Sequence, residues 1–164
     1  NATWDEVDFD NAIWTIPKER MKTGKPHVVY LSNQALDILV TFKTCFSASR
    51  FLHPGRYDMD TPISNATLNR VVEVGIAAVR SRGDEFASFT VHDLRRTASS
   101  LLNEAGFNRD WIEKCLAHEQ KGVRAVYNKA EYSEQRRAML QDWADMIDQW
   151  TKPQQLEGRA PSAA

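Results

Sequence analysis

Cysteine is scarce in this chain. Cys45 and Cys115 are the two it has in 164 residues, too few for a disulfide framework, so a reduced, cytosolic setting is expected. Long apolar runs are missing as well. No stretch approaches the 18 residues a membrane-spanning helix needs, and Val74–Val79 is a typical run. Seven glycines and six prolines exclude a collagen-like chain, and 42% hydrophobic with 26% charged residues excludes general disorder. There is no glycine-rich phosphate loop, no H-E-x-x-H and no G-x-S-x-G. Cys115-x-x-His118 has the form of half a zinc site, but a structural zinc takes four ligands and Cys45 and His53 stand alone. Neither a metal nor a cofactor is expected. No internal repeat is present. The first residue is Asn, no signal-like segment follows it, and the chain reads as a piece cut from a longer protein. Its length suits one domain.

Net charge is also nearly absent, at −1, but its distribution is uneven. Residues 1–10 hold four acids and no base, and residues 131–164 hold six acids and four bases. Residues 11–130 therefore carry 17 bases against 12 acids, and a local patch of that sign can meet a polyanion although the whole chain is neutral.

Three short β-prone runs, Trp4–Val7, Ile13–Ile16 and Val28–Leu31, open the chain. Asp8–Asn11 suits a tight connection between the first two. Arg20–Pro26 makes a longer basic one with Gly24 at its tip. From Ser32, a capping residue, the spacing turns helical through Leu36, Leu39, Val40 and Lys43–Phe46. Phe51–Leu52 is a short apolar piece stopped by Pro54-Gly55. A second helix opens at Ser64 with Leu68, Val71, Val72, Gly75 and Ala78 on one side. Thr90-Val-His-Asp93 has the form of a capping box, and its helix runs to Gly106 as the residue that stops it. Asn108–Ala117 reads as a short helix and Val123–Asn128 as a helical turn. Ser133–Trp150 reads as the last helix, with Met139, Trp143, Met146, Ile147 and Trp150 in phase. After Pro153 no periodicity remains, so a loose tail is expected. The tryptophans read as packing residues. The expected class is α+β, mainly helical, with a small three-stranded antiparallel sheet near the amino terminus.

His92 and Arg95 lie three apart at the start of the capped helix. Leu94, Ala98, Leu101 and Leu102 set its apolar stripe, which leaves His92 well off the stripe and Arg95 at its edge. A partly desolvated arginine there suits a fixed anion contact. His118 and Tyr127 follow, nine residues apart. A tyrosine beside basic side chains can attack phosphorus when the phenolate charge is balanced. Spacing leaves Tyr132 open as a second candidate.

Together these residues resemble the catalytic domain of the tyrosine recombinases, the phage-type integrases. The ordered series is a hairpin lysine in Met21-Lys22-Thr23, then His92-Asp-Leu-Arg95-Arg96-Thr97, then Leu116-Ala117-His118, then Tyr127. The stretches NAIWTIPKERMKTGKPHVVYLS, FTVHDLRRTASSLLNEAGF and LAHEQKGVRAVYNKAEYSEQRRAMLQDWADMID are similar to integrases of prophages and genomic islands. The resemblance implies a catalytic domain over residues 1–150, truncated at its amino-terminal edge, and a flexible tail over 151–164. The family carries a further arginine just before the first strand, which places it before Asn1 and leaves this chain's site incomplete.

The activity the resemblance implies is site-specific recombination, the integration or excision of a mobile element through a 3′-phosphotyrosyl link, with no metal, ATP or cofactor. Tyr127 would be the nucleophile and Arg95 would stabilise the non-bridging oxygens. Lys22 would protonate the leaving oxygen, with Lys25 in the same loop as second choice. His92 would assist proton transfer and His118 would hydrogen-bond the phosphate. The implied partners are double-stranded DNA attachment sites, a homotetramer on DNA whose last helix docks onto a neighbour, and an accessory DNA-bending protein. No membrane is involved, and the setting is the bacterial cytoplasm and nucleoid. A non-catalytic DNA-binding or assembly fragment and a type IB topoisomerase-like relaxing activity are the alternatives.

Overall fold

A computed structural model describes residues 1–118 and 130–152. Three strands, β1 (Val7–Asp8), β2 (Ile13–Ile16) and β3 (His27–Tyr30), form an antiparallel sheet in the order β1-β2-β3. The register sets Val7 opposite Trp14, and Ile13 opposite Tyr30. Five helices follow among the described residues: α1 (Asn33–Cys45), α2 (Asn65–Arg80), α3 (Val91–Glu104), α4 (Arg109–Cys115) and α5 (Ser133–Thr151). The mixed, mainly helical class is as the sequence predicts. No helix among the described residues is long and apolar enough to cross a membrane.

The first β-prone run is mostly not a strand. Trp4–Glu6 is a 3₁₀ turn and only Val7–Asp8 pairs with β2. The reason lies in the partners of the preceding backbone. The Trp4 amide donates to the Arg50 carbonyl at 3.0 Å, and Thr3 forms a bridge with Phe51. These bonds commit the first residues to the Arg50–Leu52 segment instead of the sheet. Trp4, Val7 and Leu52 then bury one core cluster, flanked by Phe9, Trp14, Leu39 and Phe42.

The helix boundaries follow their caps. Ser32 accepts from the Ala35 amide at 3.2 Å and starts α1. The α3 stop is a Schellman turn. Gly106 sits at φ +84°, its amide donating to Asn103 and that of Phe107 to Leu102. Glycine takes that left-handed conformation without the Cβ clash other residues meet. Leu102, Ile112 and Met139 bring α3, α4 and α5 together in a second core, with Phe107, Trp111 and Trp143 around them. The expected apolar side of α2 is not buried. Leu68 and Val71 are exposed and Ile76 is the buried residue, because α3 is the one substantial neighbour of α2 among the described elements. Leu94 of α3 and Trp150 of α5 are exposed too, so neither expected stripe is covered along its whole length.

A polar junction joins the sheet to this helical core. Arg136, only 2% exposed, occupies a position of α5 one turn before Met139. Its guanidinium donates to the carbonyls of Val28 on β3 and of Glu131, and lies 5.0 Å from the Tyr30 ring. The Cys115 thiol, at the end of α4, faces the same group; burial raises its pKa and Arg136 draws it partly back. His27, at the start of β3, donates from its ring to the Cys115 carbonyl. Burial pulls His27 below its ordinary range, and the charges of Arg136 and Arg95 act in the same direction. A second set of polar contacts seats α5 on α1. The Asn33 amide donates to Gln141 Oε1 at 2.9 Å, and Gln34 Nε2 donates to Asp145 and Asp148 at 2.7 and 2.8 Å.

Met139 has no exposed surface, so Met139→Ala is expected to cost about 2–5 kcal/mol in urea unfolding. The exposed Val71→Ala is expected to stay within about 0.5 kcal/mol. His27 predicts a pH dependence of stability. Its folded pKa lies below the unfolded value of 6.5, so the unfolded chain binds the proton more readily. Stability is therefore fully present above that value and declines as pH falls through the folded pKa. Thermal unfolding between about pH 7.5 and about pH 5.5 should show that decline. His27→Gln should flatten it in part, leaving the share of His53, whose burial shifts it the same way.

Candidate active site

The site is built first from the amino-terminal turn of α3. Asp93 accepts from the Thr90 amide at 3.0 Å and from its hydroxyl at 2.8 Å, the return arm of a capping box with Asp in place of Glu. These bonds hold the Asp93 carboxyl below its usual range. With the start of the helix fixed, His92 and Arg95 occupy positions one turn apart on α3. Both side chains are exposed, so Arg95 is not desolvated as its place on the stripe predicts. It is nonetheless held: its guanidinium donates to the carbonyl of Leu116, 21 residues along the chain. Arg96 turns elsewhere, to Asp93 at 3.4 Å.

That bond sets the H-x-x-R helix against the segment carrying His118. The end of α4 repeats the geometry at Gly106, but with alanine as its left-handed residue. Ala117 lies at φ +52°, its amide donates to Lys114 and that of His118 to Glu113. The reversal brings the His118 ring back over α4, where Nδ1 lies 2.7 Å from Glu113 Oε2. An ionised carboxylate only accepts, so Nδ1 carries the proton and Nε2 is left for another partner. Nε2 accepts from that partner while the ring is neutral and donates to it when the ring is charged.

Lys22 lies in the β2–β3 connection, exposed, in a turn closed by the Gly24 amide on the Met21 carbonyl at 3.1 Å. Gly24 stands at φ +66°, the tip expected from the sequence. Lys25 follows in the same loop, its amide 3.4 Å from the Thr23 hydroxyl. From this loop β3 runs past His27, which feels the charge of Arg95, so the hairpin strand and α3 approach each other at the Cys115–Leu116 step. Tyr127 and the helical turn expected at Val123–Asn128 lie outside the described residues, as does the tail beyond Pro153. Tyr132 is described. It is the N-cap of α5, half-buried at φ +51°, and its carbonyl accepts from the Arg136 amide at 2.8 Å.

Arg136 and His27 were not among the residues the sequence singled out. The signal for Arg136 is available in retrospect: it lies three residues before Met139, in phase with the apolar stripe of α5, where a charge is out of place unless it is paired. His27 ends a basic loop and carries no such mark.

The phage integrase family model matches residues 1–134. The chain is 43% identical over 147 residues to the prophage integrase IntZ of Escherichia coli K12, a match covering 88% of this chain and 34% of that protein. It is 40% identical to the prophage integrase IntA of the same strain, over 89% of this chain and 34% of IntA. The integrase of Shigella phage Sf6 is 38% identical, over 89% of this chain and 36% of its own length. The chain thus spans about a third of the length of these relatives. No solved structure matches it significantly. With the family model covering most of its length, and with its H-x-x-R helix bonded to its L-x-H segment, the chain belongs to the phage integrase family.

Proposed function

We propose that residues 1–150 are the catalytic domain of a tyrosine-type site-specific recombinase that integrates or excises a mobile element, with residues 151–164 a flexible tail. The observation that carries this reading is the Arg95–Leu116 bond, which gathers a fixed cation and a carboxylate-oriented histidine from two distant motifs. Phosphoryl transfer without a metal depends on such preorganised donors around the phosphate.

In the reaction, Tyr127 Oη attacks the scissile phosphorus and gives up its proton, assisted by His92. The bond from phosphorus to the 5′ oxygen breaks, and Lys22 donates the proton that the leaving oxygen takes up. Arg95 neutralises the non-bridging oxygens, and His118 hydrogen-bonds one of them through Nε2, which requires the charged ring given the Glu113 contact. The reverse attack by a partner strand's 5′-hydroxyl releases the enzyme, so the phosphodiester energy is conserved. The substrates are double-stranded attachment sites, exchange runs in a homotetramer on DNA, and an accessory protein bends the DNA. The protein acts in the bacterial cytoplasm, on the nucleoid when DNA-bound.

A nicked suicide duplex tests this. In the full-length protein, Tyr127→Phe should abolish covalent attachment while leaving DNA affinity nearly intact, because the phosphate-binding cations remain. Tyr132→Phe should still form the adduct; the opposite result would move the nucleophile. DNA affinity of the chain should fall as salt rises, since phosphate contacts release counterions, and a salt-independent affinity would contradict those contacts.

A further inference from the structure

The groups assigned to the reaction sit on separate pieces of chain that need a common anchor. Lys22 hangs from the loop before β3, Arg95 projects from α3, and His118 follows α4. All three lead to the Cys115–Leu116 step. The Leu116 carbonyl takes Arg95, the Cys115 carbonyl takes His27 at the base of the Lys22 hairpin, and the Cys115 thiol faces Arg136. Arg136 is also bonded to Val28 on β3 and to Glu131, which is tied in turn to Lys114 of α4 at 2.9 Å. We infer that Arg136 is a positioning residue: its buried guanidinium locks β3, the end of α4 and the start of α5 into one frame, and so sets the spacing between Lys22, Arg95 and His118 at the phosphate. The inference rests on the recombinase reading.

The chemistry of arginine suits this role and that of lysine does not. A planar guanidinium directs several N–H groups along fixed lines and reaches more than one carbonyl at once, whereas an ammonium is a single point donor on a flexible stem. At 2% exposure there is no water to make up a missing bond. Arg136 does not touch substrate in this scheme. Its effect reaches the reaction through distance, and errors of about an ångström in such arrangements cost up to about a hundredfold in rate.

The experiment compares Arg136→Lys and Arg136→Met with wild type in the full-length protein. It measures single-turnover covalent attachment at saturating suicide duplex, DNA affinity and thermal unfolding. Lys keeps the charge and loses the geometry. Met keeps the stem's volume and strands no buried carboxylate, since Glu131 is largely exposed; it serves if the Lys variant loses its cooperative unfolding transition. The expected result is a cleavage rate lowered about tenfold or more with affinity within about threefold, a split that marks lost transition-state alignment and not lost binding. A folded variant cleaving at the wild-type rate overturns the inference alone. A proportional loss of rate, affinity and melting temperature also overturns it, by reducing Arg136 to a folding residue. Absence of any adduct with wild type would overturn the recombinase reading itself, and this inference with it.

Discussion

A guanidinium withdrawn from water must find its hydrogen bonds inside the protein, and main-chain carbonyls supply them to both Nη groups of Arg136, while its Nε has no acceptor among the described residues. Desolvating such a group costs several kcal/mol, and that cost is offset only when the surrounding acceptors are well placed. The acceptors here are main-chain carbonyls of Val28 and Glu131, held by a strand and by the lead into a helix. The Tyr30 ring adds an attractive face 5.0 Å away. One acceptor lies on β3 and the other in the lead into α5, so the requirement of one side chain becomes a constraint between the sheet and that helix. Loss of the strand register would take away its Val28 acceptor, and so would a shift of α5 along its axis.

The same constraint explains how the two cores cooperate. The Trp4–Val7–Leu52 cluster is fed by the sheet and α1, and the Leu102–Ile112–Met139 cluster by three helices. Among the described residues the two clusters share no flanking hydrophobic side chain. What crosses the gap is polar: the Arg136 junction at one end of α5, and the Gln34, Gln141, Asp145 and Asp148 contacts along it. Hydrogen bonds are directional where apolar packing is not, so they fix the rotation and register of α5 more than its affinity for the rest of the fold.

Much of this was legible in the sequence because it depends on local chemistry. Ser32, Thr90 with Asp93, Gly106 and Asn108 mark helix ends where the structure has them, since a cap needs only its near neighbours. The hairpin with Gly24 at its tip is similarly local. The first strand failed because its competitor, the Arg50–Leu52 segment, lies some 45 residues away and no short-range pattern reveals it. The α2 stripe failed for a related reason: periodicity shows which face is apolar, not whether anything arrives to cover it. At the site, the motif order located His92, Arg95, His118 and Lys22 on their elements, while the bond from Arg95 to Leu116 is a tertiary fact. Arg136 escaped notice because its importance comes from partners on other elements.

Ala117 has a consequence of its own. A left-handed conformation costs an L-residue roughly 1–2 kcal/mol that glycine at the same place would not incur, and Ala117 holds it at φ +52° one residue before His118. That energy is released whenever the turn lets go. The Leu116–His118 backbone is therefore biased toward opening relative to the helix before it, and local unfolding should begin there sooner than in the cores. Amide hydrogen exchange would register it as early loss of protection at His118, while Ile112 stays protected. Contacts made to this turn from outside, Arg95 on Leu116 above all, act as the clasp that keeps the strained form closed.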